Sequence, residues 1–353
     1  MSKILLLGGT GAMGIYLVPK LRELGHEVHI TSRTPRKDSD GIKYYLGNAH
    51  NLDFLTPLLK KNYDAIIDFM IYSTIEFERR YKLLLDSTNH YIYLSSYRVF
   101  DNSKKTIIES SDKLLDNCTD VAYLETDEYA LAKARQENIL RNSNFVNYTI
   151  VRPGITYSSN RFQLGTLEAD TIIFRSIHNV PVVFAKEMLE KQTTMTWAGD
   201  VAKLLAMLVL NDKAFEQDYN IASSESITWK EVSDIYVDKI GLKLKLINIQ
   251  DYISVVGGEY QVKYDRMFDR KLDNKKILDI TGAKQSEFVS LKDGLSKELE
   301  KVMKVENYKV NNWSLQGKMD AITHSRVSIN NSKITDKIKY YKSYYLIKIG
   351  KML

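Results

Sequence analysis

The chain has 353 residues, 44% of them hydrophobic, which is enough for one large core or two smaller ones and excludes disorder over most of its length. Its +6 charge sits at the end: residues 304–353 hold ten Lys/Arg against three Asp/Glu, so the first 303 residues are balanced at −1 and give no ground for nucleic-acid binding. A lone cysteine, Cys118, excludes an internal disulfide, no Cys/His cluster has metal-ligand spacing, and no apolar run is long enough for a secretory signal or a membrane span, so a cytoplasmic protein without a metal is expected.

Short apolar runs alternate with helical stretches through the first part of the chain. Residues 4–7 read as a strand, 13–24 as a helix, 27–31 and 43–46 as the next strands, then 65–69 and 91–95. The Ala/Leu/Glu/Arg content of 126–141 favours a helix, and 148–151 follows as a strand. That order belongs to an α/β fold with a doubly wound parallel sheet of Rossmann type. Residues 200–210, a helix with an acidic start, and 219–221, a short strand, are able to return to the sheet. The expected division is therefore 1–155 with 196–222 as a dinucleotide-binding domain, 156–195 with 223–303 as a smaller interleaved substrate domain, and 304–353 as a basic C-terminal extension.

Between the first strand and first helix lies GGTGAMG, with Gly8, Gly11 and Gly14. Glycines are needed there if the backbone is to turn tightly and approach a pyrophosphate held on the helix start. The second strand runs into HITSRTPRK, with no carboxylate for a ribose hydroxyl. Ser32, Arg33, Arg36 and Lys37 stand instead where an adenosine 2′-phosphate would lie, which favours NADP over NAD with Arg33 as the main contact.

The pattern YxxxK occurs three times, at Tyr16/Lys20, Tyr129/Lys133 and Tyr344/Lys348. The first lies in the helix that follows the glycine turn and the last in the basic tail; only the second falls after the strand at 91–95 and before the one at 148–151, on a helix able to border a cofactor at the sheet edge. An ammonium one helical turn from a phenol favours the phenolate, so the pair can draw a proton from a substrate hydroxyl as hydride leaves its carbon. Ser95 and Ser96 end the preceding strand, where a hydroxyl can orient the same oxygen.

With YLSSYRVF, YALAK, VRPGITYS, TTMTWAGDVAKLLAML and DYNIASSESITWKEVSDI, the glycine motif resembles the extended short-chain dehydrogenase/reductases of the NAD-dependent epimerase/dehydratase family, over roughly residues 3–303. The resemblance implies Ser96, Tyr129 and Lys133 as the catalytic set. For NADP or NAD it implies Gly8, Thr10, Gly11, Ala12, Met13 and Gly14, then Asn48 beside adenine in place of the usual Asp, and Phe69, Met70 and Ile71 along the nicotinamide side. Tyr129, Lys133 and Pro153 complete the cofactor set. Dehydratases of the family carry Asp-Glu where this chain has Tyr97 and Arg98, so elimination of water is disfavoured. Met70, Ile71 and Ile155 replace smaller or more polar residues and imply a more apolar substrate pocket.

The expected activity is epimerisation of a nucleotide-linked sugar through a keto intermediate, with NADPH-dependent reduction of a keto-sugar as the close rival. A non-catalytic RNA-binding protein of the same fold is a third reading, against which the Tyr129/Lys133 pair and the balanced body argue. A homodimer is left open. Arg161, Arg175, Lys186 and Arg266 are able to grip a diphosphate but read more simply as surface charges. In the tail, Ile338, Tyr341, Tyr345, Ile349 and Met352 follow helical spacing from Ile334 with lysines beside them. The simpler reading is a helix packed on its own body or on a second subunit; the other is a basic amphipathic helix on an anionic membrane or a partner.

Overall fold

The computed structural model describes residues 1–304, 310, 312–330 and 332–350, and the chain in it forms two compact units. The first comprises Met1–Thr156, Thr194–Glu225 and Lys271–Val289; the second comprises Tyr157–Thr193, Ser226–Arg270 and Ser290–Leu353. Residues 271–289 thus group with the sheet unit, and the tail groups with the second unit.

The first unit is built on seven parallel strands: β1 (Lys3–Leu7), β2 (Glu27–Ser32), β3 (Ile42–Leu46), β4 (Tyr63–Asp68), β5 (Thr88–Leu94), β6 (Tyr148–Pro153) and β7 (Gln217–Ile221). Their order across the sheet is β3-β2-β1-β4-β5-β6-β7, so the winding reverses between β1 and β4. Side chains of β1 alternate between two cores. Ile4 and Leu6 pack with Leu17 and Leu21 of helix α1 (Gly14–Glu23), while Leu5 and Leu7 pack with Leu55, Tyr91 and Tyr93 on the other face. Helix α2 (Tyr129–Arg141) sends Leu140 into that second core. Helix α3 (Ala198–Leu208) completes the first with Val201, Leu204, Leu205 and Leu208, and Ile277 of helix α4 (Lys275–Thr281) joins it. Both faces of the sheet are covered at its centre, which is why β1, β4 and β5 each carry a buried apolar run, whereas the edge strand β3 has no buried residue.

In the second unit, Val182–Ala185 pairs in parallel with Leu244–Ile247. Helix Trp229–Ile240 starts at a capping box of Thr228 and Glu231 and stops at Gly241, in the left-handed region at φ +63°. Helices α5 (Trp313–Thr323) and α6 (Ile334–Gly350) form a hairpin tied to helix Ala169–Ile177 by Arg175, which donates to Asp320 Oδ1 at 2.8 Å with both side chains fully buried. Arg266 is likewise buried, paired with Asp265 and donating to the Gly165 carbonyl at 2.7 Å. Two of the four cations considered for a diphosphate are therefore internal ion-pair partners, a role that sequence position alone does not distinguish from a solvated charge. Among the described residues, no helix is long and apolar enough to cross a membrane.

Candidate active site

The glycine turn forms where β1 stops, and the backbone explains its composition. Gly8 takes φ +75° and donates its N–H to Thr31 Oγ1 at 2.9 Å. At Gly14 a Cβ would fall 2.0 Å from the Gly9 carbonyl oxygen, so only glycine lets α1 begin against the turn. Gly11 has nothing within 4 Å of where its Cβ would be. Thr10, Ala12 and Met13 are half-buried around it, and no side chain caps the first turn of α1. An uncapped helix start over an open glycine turn offers backbone N–H groups and positive dipole to a pyrophosphate, so these residues fit a dinucleotide.

At the end of β2, Ser32 is buried and donates to the Thr34 carbonyl at 2.7 Å, while Arg33, Arg36 and Lys37 are exposed. Asn48 is exposed after β3 and accepts the His50 N–H at 3.1 Å. Beyond β4, Phe69 donates its N–H to the Leu7 carbonyl at 3.0 Å, and the Met70 sulfur lies 3.0 Å from where a Cβ on Gly8 would stand. Ile71 is 63% exposed, and Pro153 is buried at the end of β6.

Helix α2 supplies the tyrosine and the lysine. Lys133 is buried, and its ammonium donates to the Leu94 carbonyl at 2.7 Å and the Met70 carbonyl at 3.4 Å. It lies 6.0 Å from the centre of the Tyr129 ring and 4.5 Å from that of Tyr93. Burial pulls its pKa down to about 8, opposed by the carboxylates of Asp68 and Glu137. Tyr129 is half-buried, with the Arg98 guanidinium 5.3 Å over its ring. Arg98 is held at 2.6 Å by Glu128, which also caps α2 by accepting the Ala130 N–H at 2.8 Å. Ser96 is buried, and its oxygen accepts the Arg98 N–H at 3.2 Å. Ser96, Tyr129 and Lys133 are thus gathered through Arg98 and the strand-end carbonyls, with Met70 linking them to Gly8. Ser32, Arg33 and Asn48 lie apart from this group, at the ends of β2 and β3.

Ser95 is engaged elsewhere: its hydroxyl donates to Glu137 Oε1 at 2.5 Å. Glu137 is buried and takes two bonds of 2.7 Å from Arg152, which also reaches Asp218 at 2.6 Å. Asp68, at the end of β4, accepts the Tyr91 hydroxyl at 2.8 Å and the Met70 N–H at 2.9 Å, and burial pushes its carboxyl above the usual range. Sequence reasoning singled out neither acid. The available signal was Glu137 standing one helical turn after Lys133, a charged pair on one helix face.

The sequence matches the model of the NAD dependent epimerase/dehydratase family over residues 4–222. No curated protein sequence matches it. Similar solved structures include a UDP-N-acetylglucosamine 4-epimerase from Bacillus cereus, at 16% identity and TM-score 0.63, covering 87% of this chain and 98% of that one. A UDP-glucose 4-epimerase from Thermotoga maritima, solved with UDP-glucose, is 17% identical at TM-score 0.64, covering 86% and 99%. A dTDP-glucose 4,6-dehydratase from Bacillus anthracis, in complex with NAD, is 13% identical at TM-score 0.66, covering 87% and 98%. At these identities the likeness is one of fold.

Proposed function

This chain belongs to the NAD-dependent epimerase/dehydratase family, and from that membership we propose that it interconverts epimers of a nucleotide-linked sugar by reversible hydride transfer through a keto intermediate. The observation that carries the reading is the Tyr129/Lys133 pair on α2, linked through Met70 to the glycine turn where the sheet reverses. Gly8 through Gly14 and the start of α1 would hold the pyrophosphate, with Phe69, Met70 and Ile71 toward the nicotinamide. When bound, that ring supplies the hydride acceptor and, on return, the donor.

The chain's own groups handle the proton. Tyr129 takes it from the sugar hydroxyl as the carbonyl forms and returns it as the alcohol is restored. The Lys133 ammonium, fixed on two carbonyls, lies 6.0 Å from the centre of the Tyr129 ring, a positive charge beside the phenol as it takes and returns the proton. The Ser96 oxygen already accepts from the backbone, so its hydrogen is the one to give to the substrate oxygen. Dehydration is disfavoured because Tyr97 and Arg98 stand where dehydratases of the family carry Asp-Glu, so neither position offers a carboxyl group. In a panel of sugar nucleotides, wild type should equilibrate one epimer pair, and Tyr129→Phe should lower kcat by about 100-fold or more. Undiminished turnover in the variant would remove the phenol from the mechanism.

The exposed Arg33 beside Ser32 favours NADP over NAD, and with it a second reading, net reduction of a keto-sugar by NADPH. Cofactor stoichiometry separates the two: an epimerase needs only catalytic nucleotide, whereas a reductase consumes one per turnover. Arg33→Ala should erase any preference for NADP; an unchanged affinity ratio excludes Arg33 from the choice.

A further inference from the structure

Helix α6 has two faces of opposite kind. One is spent within the second unit: Tyr340 is 2% exposed and donates to Asp320 Oδ2 at 2.6 Å, and Ser343 meets Ser314 at 2.5 Å. Gly317 of α5 allows this closeness, since a Cβ there would lie 2.2 Å from the Tyr340 carbonyl oxygen. The helix therefore packs on its own unit, yet the apolar row that marked it in the sequence is not the row that packs. Ile334, Ile338, Tyr341, Tyr345 and Ile349 are 76%, 61%, 42%, 53% and 57% exposed. At 3.6 residues per turn they fall within about 80° of arc, on the side away from Tyr340 and Ser343. Met352, expected in the same row, lies outside the described residues.

Lysines border the row on both sides. Lys337 and Lys348 lie along one edge, Lys339 and Lys342 along the other, where Leu346 is 60% exposed. The helix has one acid, Asp336, set toward the packed side and 3.8 Å from Lys339. A second copy of the chain meeting this face would set lysine rows on lysine rows. A nucleic acid would meet the charge but leave the isoleucines without a partner. An interface with negative charge at its surface and hydrocarbon beneath suits both.

We propose that this face of α6 docks the protein on an anionic phospholipid surface, with the isoleucines and tyrosines at the boundary between headgroups and acyl chains and the lysines reaching outward to phosphate. Tyrosine suits that depth, having an apolar ring and a polar tip.

The test is flotation of the full chain with vesicles of phosphatidylcholine, alone or mixed with phosphatidylglycerol. The protein should float with the mixed vesicles only, and less so as salt is raised. The triple substitution Ile338→Ser, Tyr345→Ser, Ile349→Ser should weaken vesicle affinity by at least about tenfold, because it removes the buried hydrocarbon. Lys342→Glu with Lys348→Glu should do the same through charge, an independent measure should the triple variant melt early. Equal recovery in the soluble fraction with both vesicle types overturns the proposal. So does a dimer that Ile338→Ser dissolves while nothing floats, which would assign the face to a second copy.

Discussion

His90 shows how one side chain couples the sheet to acid. It is fully buried; Thr149 donates its hydroxyl to the Ala214 carbonyl at 2.6 Å and so accepts from His90 Nε2 at 2.8 Å. Nδ1 then accepts the N–H of Leu210 at 3.0 Å, a non-glycine residue at φ +59°. The ring is neutral, with both nitrogens used, and burial lowers its pKa to about 4 from 6.5. Between those values the unfolded chain binds the proton and the folded one does not. Stability is therefore lost as pH falls from about 6.5 to 4, by roughly 3 kcal/mol from this ring. Urea unfolding at pH 7 and pH 4.5 should show a smaller drop for His90→Gln than for wild type; equal drops would assign the slope to other groups. Gly14 is as sharply constrained. Gly14→Ala drives a methyl into the Gly9 carbonyl, and should cost about 1–3 kcal/mol and abolish dinucleotide binding, measured by thermal shift with and without NADP or NAD.

At the scale of elements, α2 is held by charge as much as by packing. Glu137 joins β5 through Ser95, β6 through Arg152 and β7 through the Asp218 that Arg152 shares. Glu137→Leu takes two hydrogen bonds from the buried Arg152, leaving it the Asp218 carboxylate at 2.6 Å, and should cost about 3 kcal/mol, whereas adding Arg152→Met should restore part of it. Chemical denaturation of the single and double variants measures the difference, and additive losses would mean the pair is not coupled. The same clamp marks the limit of what the sequence tells. All seven strands of the sheet were legible as short apolar runs, which in the inner strands β1, β4 and β5 follow from burial on both faces. Tyr129 and Lys133 were legible from their place between two such runs. Glu137 and Asp68 were not, because their partners, Arg152 and Tyr91, are close in space and not in sequence. Helix α5 escaped for the same reason: its buried Gln316 and Asp320 look like solvent residues until Arg175 is seen between them. The tail's apolar spacing correctly announced a helix, but spacing cannot say which face packs.

For the molecule as a whole, the decisive fact is how the chain is divided. It passes from one unit to the other after residues 156, 193, 225, 270 and 289. Most of the sheet is made before the first passage, but β7 and α3 arrive afterwards, and α3 carries four of the leucines and valines that cover Leu17 and Leu21. A fragment of residues 1–156 should therefore expose that core, bind a hydrophobic dye and aggregate; a soluble fragment with a cooperative melt would show that the first six strands suffice. The interleaving also bears on recombination. The second unit cannot be lifted from one relative and spliced into another as a cassette, since a working chimera would need compatible joints at five places at once. Diversification of such a protein has to proceed by substitution within an intact weave.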